Sequence, residues 1–448
     1  MKNKVKIQKQ INFHNKTYHF LTDDSRIAIE EPDSLFVHTK QNSYFVDTIK
    51  QHHLDILQAE ELPKYFSLTP KLIGITGTNG KTTTAAIIYS ILLDMGYSVA
   101  LLGTRGFFAN DKKLKSKGLT TPGILELYED IDQAASLKCE YFVMEVSSHA
   151  IEQKRTQGLE FYAKILTNIT SDHLDYHKTL QEYVRIKNSF FADETLKIIN
   201  RDESKALFNP INAYGYAISS KTNLSTTAYS LTQGIHAHII WKENLTQAHF
   251  QEALIDSSLY GLHNLYNILA AIACVQCVTK ESLDTITKAL ENFGGVEGRM
   301  EVVSQSPLII VDFAHTHDGM KQIFESFKSK KISVVFGAGG DRDKSKRPKM
   351  GECAYNYAQK IYITSDNPRS EDPQAIIGDI LKGIPSRTTH SIIVEPDRKK
   401  AIHQAMQALS PDEVLLILGK GDETYQIIGE KKVYFDDRKI VQEYLKIN

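Results

Sequence analysis

The chain has 448 residues, 42% of them hydrophobic and 24% charged, and 53 Lys and Arg against 54 Asp and Glu leave a formal net charge of −1. That is the composition of an ordinary soluble protein, and the near-zero charge excludes a global basic field that would recruit nucleic acid or anionic lipid. At roughly 100–200 residues per domain, two to four domains are expected.

The polar start, Met1-Lys2-Asn3-Lys4-Val5, has no apolar stretch behind it, so no signal peptide is expected. No run of about 18 apolar residues is present, so neither a transmembrane helix nor membrane insertion is expected. Cysteines at 139, 274, 277 and 353 are too few for a disulfide framework and point to a reducing cytoplasm. Residues 1–69 read as short strands and turns, including Asp33-Ser34-Leu35-Phe36-Val37, in a small unit ending near Thr69-Pro70.

At Lys71 the character changes. Leu72 to Thr76 reads as a buried strand, Gly77 to Gly80 as a turn, and Lys81 to Met95 as a helix with Ala85, Ile88, Leu92 and Met95 on one side and Gly96 as its stop. Ser98–Leu102, Tyr141–Val146 and Ala163–Asn168 read as further strands, and alternation with helices predicts a parallel α/β sheet. Cys274 and Cys277 lie in an apolar helical run, Asn267 to Val278, without a second pair or a nearby His; they read as buried structural thiols. Gly294 to Gly298 is glycine-rich and marks a boundary. After it, Leu308–Asp312, Ile332–Phe336, Lys360–Thr364 and Val414–Leu418 are apolar strands, separated by helices such as Met320–Phe327, in a second α/β unit.

Gly77-Thr78-Asn79-Gly80-Lys81-Thr82-Thr83 follows a strand and opens a helix. Backbone N–H groups and the helix N-terminus there favour phosphate, Lys81 adds a mobile charge, and the Thr82 hydroxyl is placed to ligate Mg²⁺. Ile75 stands where the strict Walker spacing wants glycine, so the loop is a variant. Glu145 ends an apolar strand near this loop, and hard cations such as Mg²⁺ favour such an oxygen ligand. His173 and His177 have a spacing of four, but Leu174 breaks the zincin pattern and no third ligand is evident.

These blocks resemble the Mur ligases of peptidoglycan synthesis, most closely the MurE type, which adds the third residue to UDP-N-acetylmuramoyl-L-alanyl-D-glutamate. The resemblance covers nearly the whole chain in one order: Asp24 to Arg26, Gly77 to Thr83, Thr120 to Pro122, Glu145 to His149, Asp172 to His177, Asn264 to Asn267, Gly298 to Glu301, Asp312 to Thr316, Gly339 to Pro348, Asp366 to Arg369 and Gly419 to Glu423. It implies an α/β protein of three domains: a small N-terminal α/β UDP-binding domain (1–69), a central parallel-sheet P-loop ATPase domain (70–298) and a C-terminal Rossmann-like domain (299–448). By the same resemblance, Thr82 and Glu145 hold one Mg²⁺, and His173 with Lys187, carbamylated by CO₂, holds a second. Thr120, Thr121, Ser147, Gln153 and Arg155 match contacts to the UDP-sugar peptide, and Ser25 matches a uridine contact. Asn264 matches an adenine-side contact with Asn267 nearby, while Arg299 and Asp312, with His315 beside them, match residues that meet ATP.

Asp366-Asn367-Pro368-Arg369, in this family type, goes with meso-diaminopimelate, and Arg342, Gly419 and Glu423 match further contacts to that amino acid. Diaminopimelate differs from lysine by a far carboxylate, which an arginine fork grips through two N–H bonds. Lysine in that place would leave Arg369 an uncompensated buried charge. The chain departs from the family pattern at Asp422 (usually His), Leu119 (often Asn) and His317 (usually Pro), and the His-Gln pair usual after Leu-Phe-Val is not clear within Leu35 to Phe45. The expected reaction phosphorylates a carboxylate with ATP and couples the acyl phosphate to an amine, with closure of the C-terminal domain keeping water out. A monomer is expected. Alternatives are a lysine-adding ligase of the same type, a folylpolyglutamate synthase, and a P-loop regulator that ligates nothing.

Overall fold

The structure is a computed structural model and describes residues 6–116, 118–246 and 248–447. The start Met1–Val5, read above for a signal peptide, lies outside the described residues. The chain forms two compact units: Met1–Thr227 with His238–Leu254 and Tyr266–Asn292, and Ala228–Ala237 with Ile255–Leu265 and Phe293–Asn448.

In the first unit, residues before 70 form their own four-stranded sheet of Lys6–Phe13, Lys16–Thr22, Ser34–His38 and Ile56–Gln58. Ile7, Leu21, Leu35, Val37 and Leu57 on this sheet pack against Ile124, Leu125 and Tyr128 of the helix Ile124–Ser136. The larger sheet centres on Lys71–Thr76, flanked by parallel strands Tyr141–Glu145 and Phe161–Leu166. Lys71–Thr76 is buried from Leu72 onward, as a strand covered on both faces requires. Val99–Gly103 continues the sheet on one side, and Leu196–Asn200 and Ala213–Ala217 on the other. The phosphate-loop helix runs Lys81–Asp94 and stops at Gly96, whose φ of +87° suits glycine.

The helix Leu262–Thr279 is long and apolar enough by composition to cross a membrane, yet 78% of it is buried within the protein, as in a core helix. Cys274 and Cys277 lie on it and are buried; burial pushes the Cys277 thiol up to about 12, so both stay protonated packing groups.

The second unit is built on a six-stranded sheet in the order Glu301–Gln305, Leu308–Asp312, Glu413–Leu418, Lys331–Phe336, Lys360–Ile363, Ser391–Val394. All neighbours are parallel except the first pair. Apolar cores lie on both faces, one around Phe324, Phe336 and Ile361, the other around Ile402, Leu415 and Val441. One ionic contact crosses the second core. Arg398 donates from Nε and Nη2 to Asp437 at 2.8 and 2.7 Å, and from Nη2 to the Leu418 carbonyl at 2.9 Å, with both side chains fully buried. This fork ties the C-terminal helix Asp437–Ile447 to the strand end that precedes Gly419.

Removing one member of such a pair strands a buried charge. Arg398→Met is therefore expected to cost about 3–5 kcal/mol in urea unfolding, and Arg398→Met/Asp437→Leu to recover most of the loss. A single variant as stable as the parent would show that the pair bears no such weight.

Candidate active site

The phosphate loop is shaped by the neighbouring strand end. Thr78 N–H donates to Asn168 O at 2.8 Å and Asn79 N–H to Asn168 Oδ1 at 3.0 Å; Thr167 Oγ1 and Asn168 Nδ2 donate to Asn79 O at 2.7 and 3.0 Å. Gly80 has φ +83°, and a Cβ there would enter the Asn267 carboxamide, so backbone conformation and space both require glycine. Lys81 Nζ folds back onto the carbonyls of Gly77 and Thr78 at 2.7 and 2.9 Å. Asn79 Nδ2 is buried and has no hydrogen-bond partner among the described residues, a donor without an acceptor beside a phosphate-type loop. Thr83, the third residue of the helix, is buried.

Glu145 is 2% exposed at its strand end, where an unpaired carboxylate would be costly. Its Oε2 accepts from Thr82 Oγ1 at 2.9 Å and Thr104 Oγ1 at 3.3 Å, and its Oε1 accepts from Thr104 N–H at 2.8 Å. The chain around it forms one polar network. Thr104 Oγ1 meets Thr120 Oγ1 at 3.2 Å, Thr121 Oγ1 donates to Glu145 O at 2.9 Å, and Ser147 N–H donates to Thr121 Oγ1 at 3.0 Å. Arg155 donates to Thr121 O at 2.6 Å and to Gln153 Oε1 at 2.7 and 3.0 Å. Thr120, Thr121, Ser147, Gln153 and Arg155 are thus brought together. Ser25 is buried at the start of the helix Ser25–Glu30, which Asp24 caps, and sits in the small N-terminal sheet region instead. Sequence reasoning missed Gln41, whose amide donates to Gln153, and Lys40, which reaches Glu152 O at 2.7 Å.

Lys187 lies on the helix Leu180–Ser189, capped by Thr179, and is 1% exposed. Its Nζ donates to Gly77 O at 2.8 Å and lies 4.8 Å from the Tyr183 ring centroid. Burial, then the Lys81 charge, pushes its pKa well below the ordinary lysine value, which favours a neutral amine. His173 has φ +52° and begins the short helix Leu174–His177. Desolvation lowers its pKa to about 4 against the pull of Asp172, with His149, Lys81 and Lys187 adding to the lowering, so its imidazole is neutral. His177 is buried and bonds Ser148 Oγ through Nε2 at 2.9 Å. Among the described residues no group of three or more His, Cys, Asp and Glu side chains is arranged to hold a metal.

In the second unit, Asp312 ends its strand and accepts from Met300 N–H and Ala314 N–H at 2.7 and 2.6 Å. Burial raises its pKa against the pull of Arg299, whose guanidinium lies 4.4 Å from the Phe313 ring centroid. Asn264 Nδ2 donates to Tyr260 O at 2.9 Å, one turn before Asn267 on the same helix; Asn267 Oδ1 accepts from Thr84 Oγ1 at 3.3 Å.

Asp366 and Asn367 are buried after the strand Lys360–Ile363. Asn367 Nδ2 donates to Glu423 Oε2 at 3.0 Å, and Gly419, at φ +113°, leaves room for the Asp366 carboxylate. Pro368 packs its carbonyl against Gly340, and Arg369 donates through Nη1 to Gly340 O at 2.7 Å. Arg369 is half-buried, with the Gly340 carbonyl as an acceptor for its guanidinium. Arg342 is exposed and bonds Asp341 O at 3.0 Å. Lys420, overlooked in the sequence, is fully buried, with Nζ 3.2 Å from Asn367 Oδ1, 3.3 Å from Glu423 Oε2 and 3.7 Å from Asp366 Oδ1.

A phosphate loop whose Thr82 hydroxyl meets a buried carboxylate, in a chain that carries a second α/β unit with a charged turn at its strand ends, belongs to the ATP-dependent acid–amino-acid ligases. The description "Mur ligase middle domain" matches residues 75–275, and "Mur ligase, glutamate ligase domain" matches residues 298–421. The chain belongs to the Mur ligase family. It is 55% identical over 442 residues to the UDP-N-acetylmuramoyl-L-alanyl-D-glutamate–2,6-diaminopimelate ligase of Helicobacter pylori, covering 98% of each chain. It is 55% identical to the protein of the same name from Wolinella succinogenes, covering 96% of each. Among solved structures, one of a ligase with that name superposes with a TM-score of 0.67 at 24% identity, covering 98% of this chain and 97% of the other. A Mycobacterium tuberculosis folylpolyglutamate synthase superposes with a TM-score of 0.62 at 15% identity, covering 81% and 91%, a likeness of fold.

Because the Lys187 ammonium would be desolvated, Lys187→Met is expected to leave the urea midpoint unchanged or higher. Gly77 O keeps Lys81 as its donor. A clear drop in the midpoint would show that a charged Lys187 holds the fold.

Proposed function

We infer that the protein joins meso-diaminopimelate to UDP-N-acetylmuramoyl-L-alanyl-D-glutamate, using ATP, in peptidoglycan precursor synthesis in the cytoplasm, and that it works as a monomer. The full-length similarity to ligases of that name carries the reading. The Asp366-Asn367-Pro368-Arg369 turn, with Glu423 bonded to Asn367, supports it. Residues 1–69 serve the uridine end of the substrate, 70–298 the nucleotide, and 299–448 the amino acid.

In the central domain the Gly77–Thr83 loop holds the ATP phosphates, with the unpartnered Asn79 amide as one donor. Lys81 leaves its carbonyl acceptors to neutralise charge on the transferred phosphoryl group. The donor set suits Mg²⁺: hydroxyl and carboxylate oxygens at Thr82 and Glu145 for one ion, the neutral His173 and a Lys187 carbamate for a second. Bound Mg²⁺ supplies charge neutralisation for the phosphates and the reacting carboxylate. Lys187 suits carbamylation because a neutral amine can add to CO₂; the nitrogen loses a proton and leaves an anionic oxygen donor.

The substrate carboxylate takes the γ-phosphoryl group of ATP and becomes an acyl phosphate. Thr120, Thr121, Ser147, Gln153 and Arg155 orient the substrate through the network that converges on Thr121. The diaminopimelate amine attacks the acyl carbon, and phosphate leaves as the amide forms. Asn264, Arg299 and Asp312 hold the nucleotide. Arg342 and Arg369 meet the diaminopimelate carboxylates, while Asp366, Glu423 and the close-approach glycine Gly419 receive its amino end.

The deciding experiment measures phosphate release from ATP and the UDP-sugar dipeptide with either meso-diaminopimelate or L-lysine. Release with diaminopimelate and little with lysine is expected; the reverse would assign a lysine-adding enzyme, and nucleotide turnover without amide product would overturn ligation. Lys187→Ala is expected to lose at least about 100-fold in kcat, since charge stabilisation at transferred phosphoryl groups is a major catalytic contribution, and to regain activity with added short carboxylic acids. Full activity without them would remove the carbamate from the mechanism.

A further inference from the structure

Arg347, on the first turn of the helix Lys346–Tyr357, is 1% exposed and is not among the residues assigned above to nucleotide or amino acid. A buried arginine is rarely a stabilising choice over an apolar side chain of like volume, so its partners are informative. Nη1 and Nη2 fork onto Glu371 at 3.0 and 2.8 Å, Nη1 also reaches Asp379 at 3.0 Å, and Nη2 reaches Gly339 O at 3.2 Å.

Glu371 is the centre of this cluster. Its Oε1 also accepts from Asp341 N–H at 2.6 Å, and Lys344 Nζ lies 3.1 Å from its Oε2. Arg347 first, then the Asp341 N–H, hold the Glu371 carboxyl down to about 2. It therefore remains an anion throughout the neutral range.

Two loops meet at this anion: Gly337 to Ser345, after one strand, and Thr364 to Asp372, after its neighbour. They are joined further by Gly340 N–H to Asn367 O at 2.9 Å, Ser370 Oγ to Asp341 Oδ1 at 2.6 Å, and Arg369 Nη1 to Gly340 O at 2.7 Å. Asp341 and Arg369, one on each loop, have φ of +54° and +51°, the left-handed region that costs a non-glycine residue and persists only where its surroundings fix it. Gly340 has no room for a Cβ against the Pro368 carbonyl. The direction of the Arg369 side chain is thus set by a zipper anchored on the Arg347–Glu371 fork.

We propose that Arg347 is a positioning residue for amino-acid selection: acting through Glu371, it fixes the Asp341–Arg369 zipper so that the Arg369 guanidinium meets the far carboxylate of a diamino-dicarboxylic acid. This rests on the reading of the Asp366–Arg369 turn as the amino-acid pocket. An error of about 1 Å in such a placement costs on the order of 100-fold, so the effect falls on the amino acid and not on the nucleotide.

The test uses the full chain and the phosphate-release assay. In Arg347→Lys, which keeps the charge but loses the fork, the KM for diaminopimelate is expected to rise about tenfold or more while the KM for ATP stays within about twofold, and the preference over lysine to fall. In Arg347→Ala, added guanidinium at millimolar level is expected to lower the diaminopimelate KM again. Glu371→Gln keeps an acceptor for Asp341 N–H and loses the ionic fork; it is expected to show the same split, and it decides the matter if the Arg347 variants do not fold. Equal changes in both KM values, or a lower kcat with unchanged diaminopimelate KM, would overturn the proposal. A parent enzyme that accepts no diaminopimelate would instead overturn the pocket reading; one that accepts it, alongside variants with unchanged KM, overturns this proposal alone.

Discussion

Thr76, Glu145 and Leu166 end three adjacent parallel strands at nearly one level, with Ile75 opposite Glu145 and Thr76 opposite Leu166. Parallel strands cannot end this way without sending their loops out on the same edge, which is where α/β sheets gather ligands. The segments that leave these strands begin with Gly77–Gly80, with Ser147 capping the helix Ser148–Glu152, and with Thr167–His173. Thr167 and Asn168 from one loop clamp the backbone of another, and Glu145 takes the hydroxyl of the residue that follows Lys81. Shift the register of one strand by a residue and the carboxylate turns to the opposite face. The chemistry of the first unit depends on that register before it depends on any side chain.

Two buried ionisable groups lie beside this edge, and burial acts on them in different ways. Glu145 is surrounded by hydroxyl and N–H donors, so its carboxylate is hydrogen-bonded though hidden. Lys187 has a carbonyl, a hydroxyl and an aromatic face near it and no carboxylate within hydrogen-bond distance among the described residues; the nearby Lys81 opposes its charge more than Asp172 supports it. An ammonium in that place is disfavoured, which makes the position costly for a merely structural lysine and favourable for an amine that reacts.

The parts legible in the sequence were those where burial is two-sided. Leu72–Thr76, Tyr141–Glu145, Leu308–Asp312 and Glu413–Leu418 are short unbroken apolar runs because both faces are covered, and their ends fell within a residue or two of expectation. Ser391–Val394, Glu301–Gln305 and the hairpin Tyr425–Ile428 with Lys431–Tyr434 are only partly covered, so their residues carry little pattern to read. The same rule divides the candidate site. Gly77–Thr83 announces itself because φ, space and charge constrain every position. Lys187 reads as a surface lysine of an amphipathic helix, and only the resemblance singled it out. Gln41, Lys420 and Arg347 stayed hidden because each acts on partners far away in the chain: Gln153, Asn367 and Glu371.

On the reading proposed above for the Asp366–Arg369 turn, the amino acid meets a pocket built from charges that are themselves paired. Asp366 and Glu423 bring two negative charges and Lys420, buried between them, returns one, so one net negative charge remains for an ammonium group. Arg369, fixed by the Gly340 carbonyl, sits on the same turn with its positive charge. A substrate with an ammonium and a carboxylate at the same end completes both halves, while one with an ammonium alone completes the first and leaves the second unmet. Lys420 carries the balance: its ammonium lies beside both Asp366 and Glu423, and without it the two carboxylates would repel each other. On that reading, selectivity comes from the charge left over after internal pairing, and therefore from residues that need not touch the substrate.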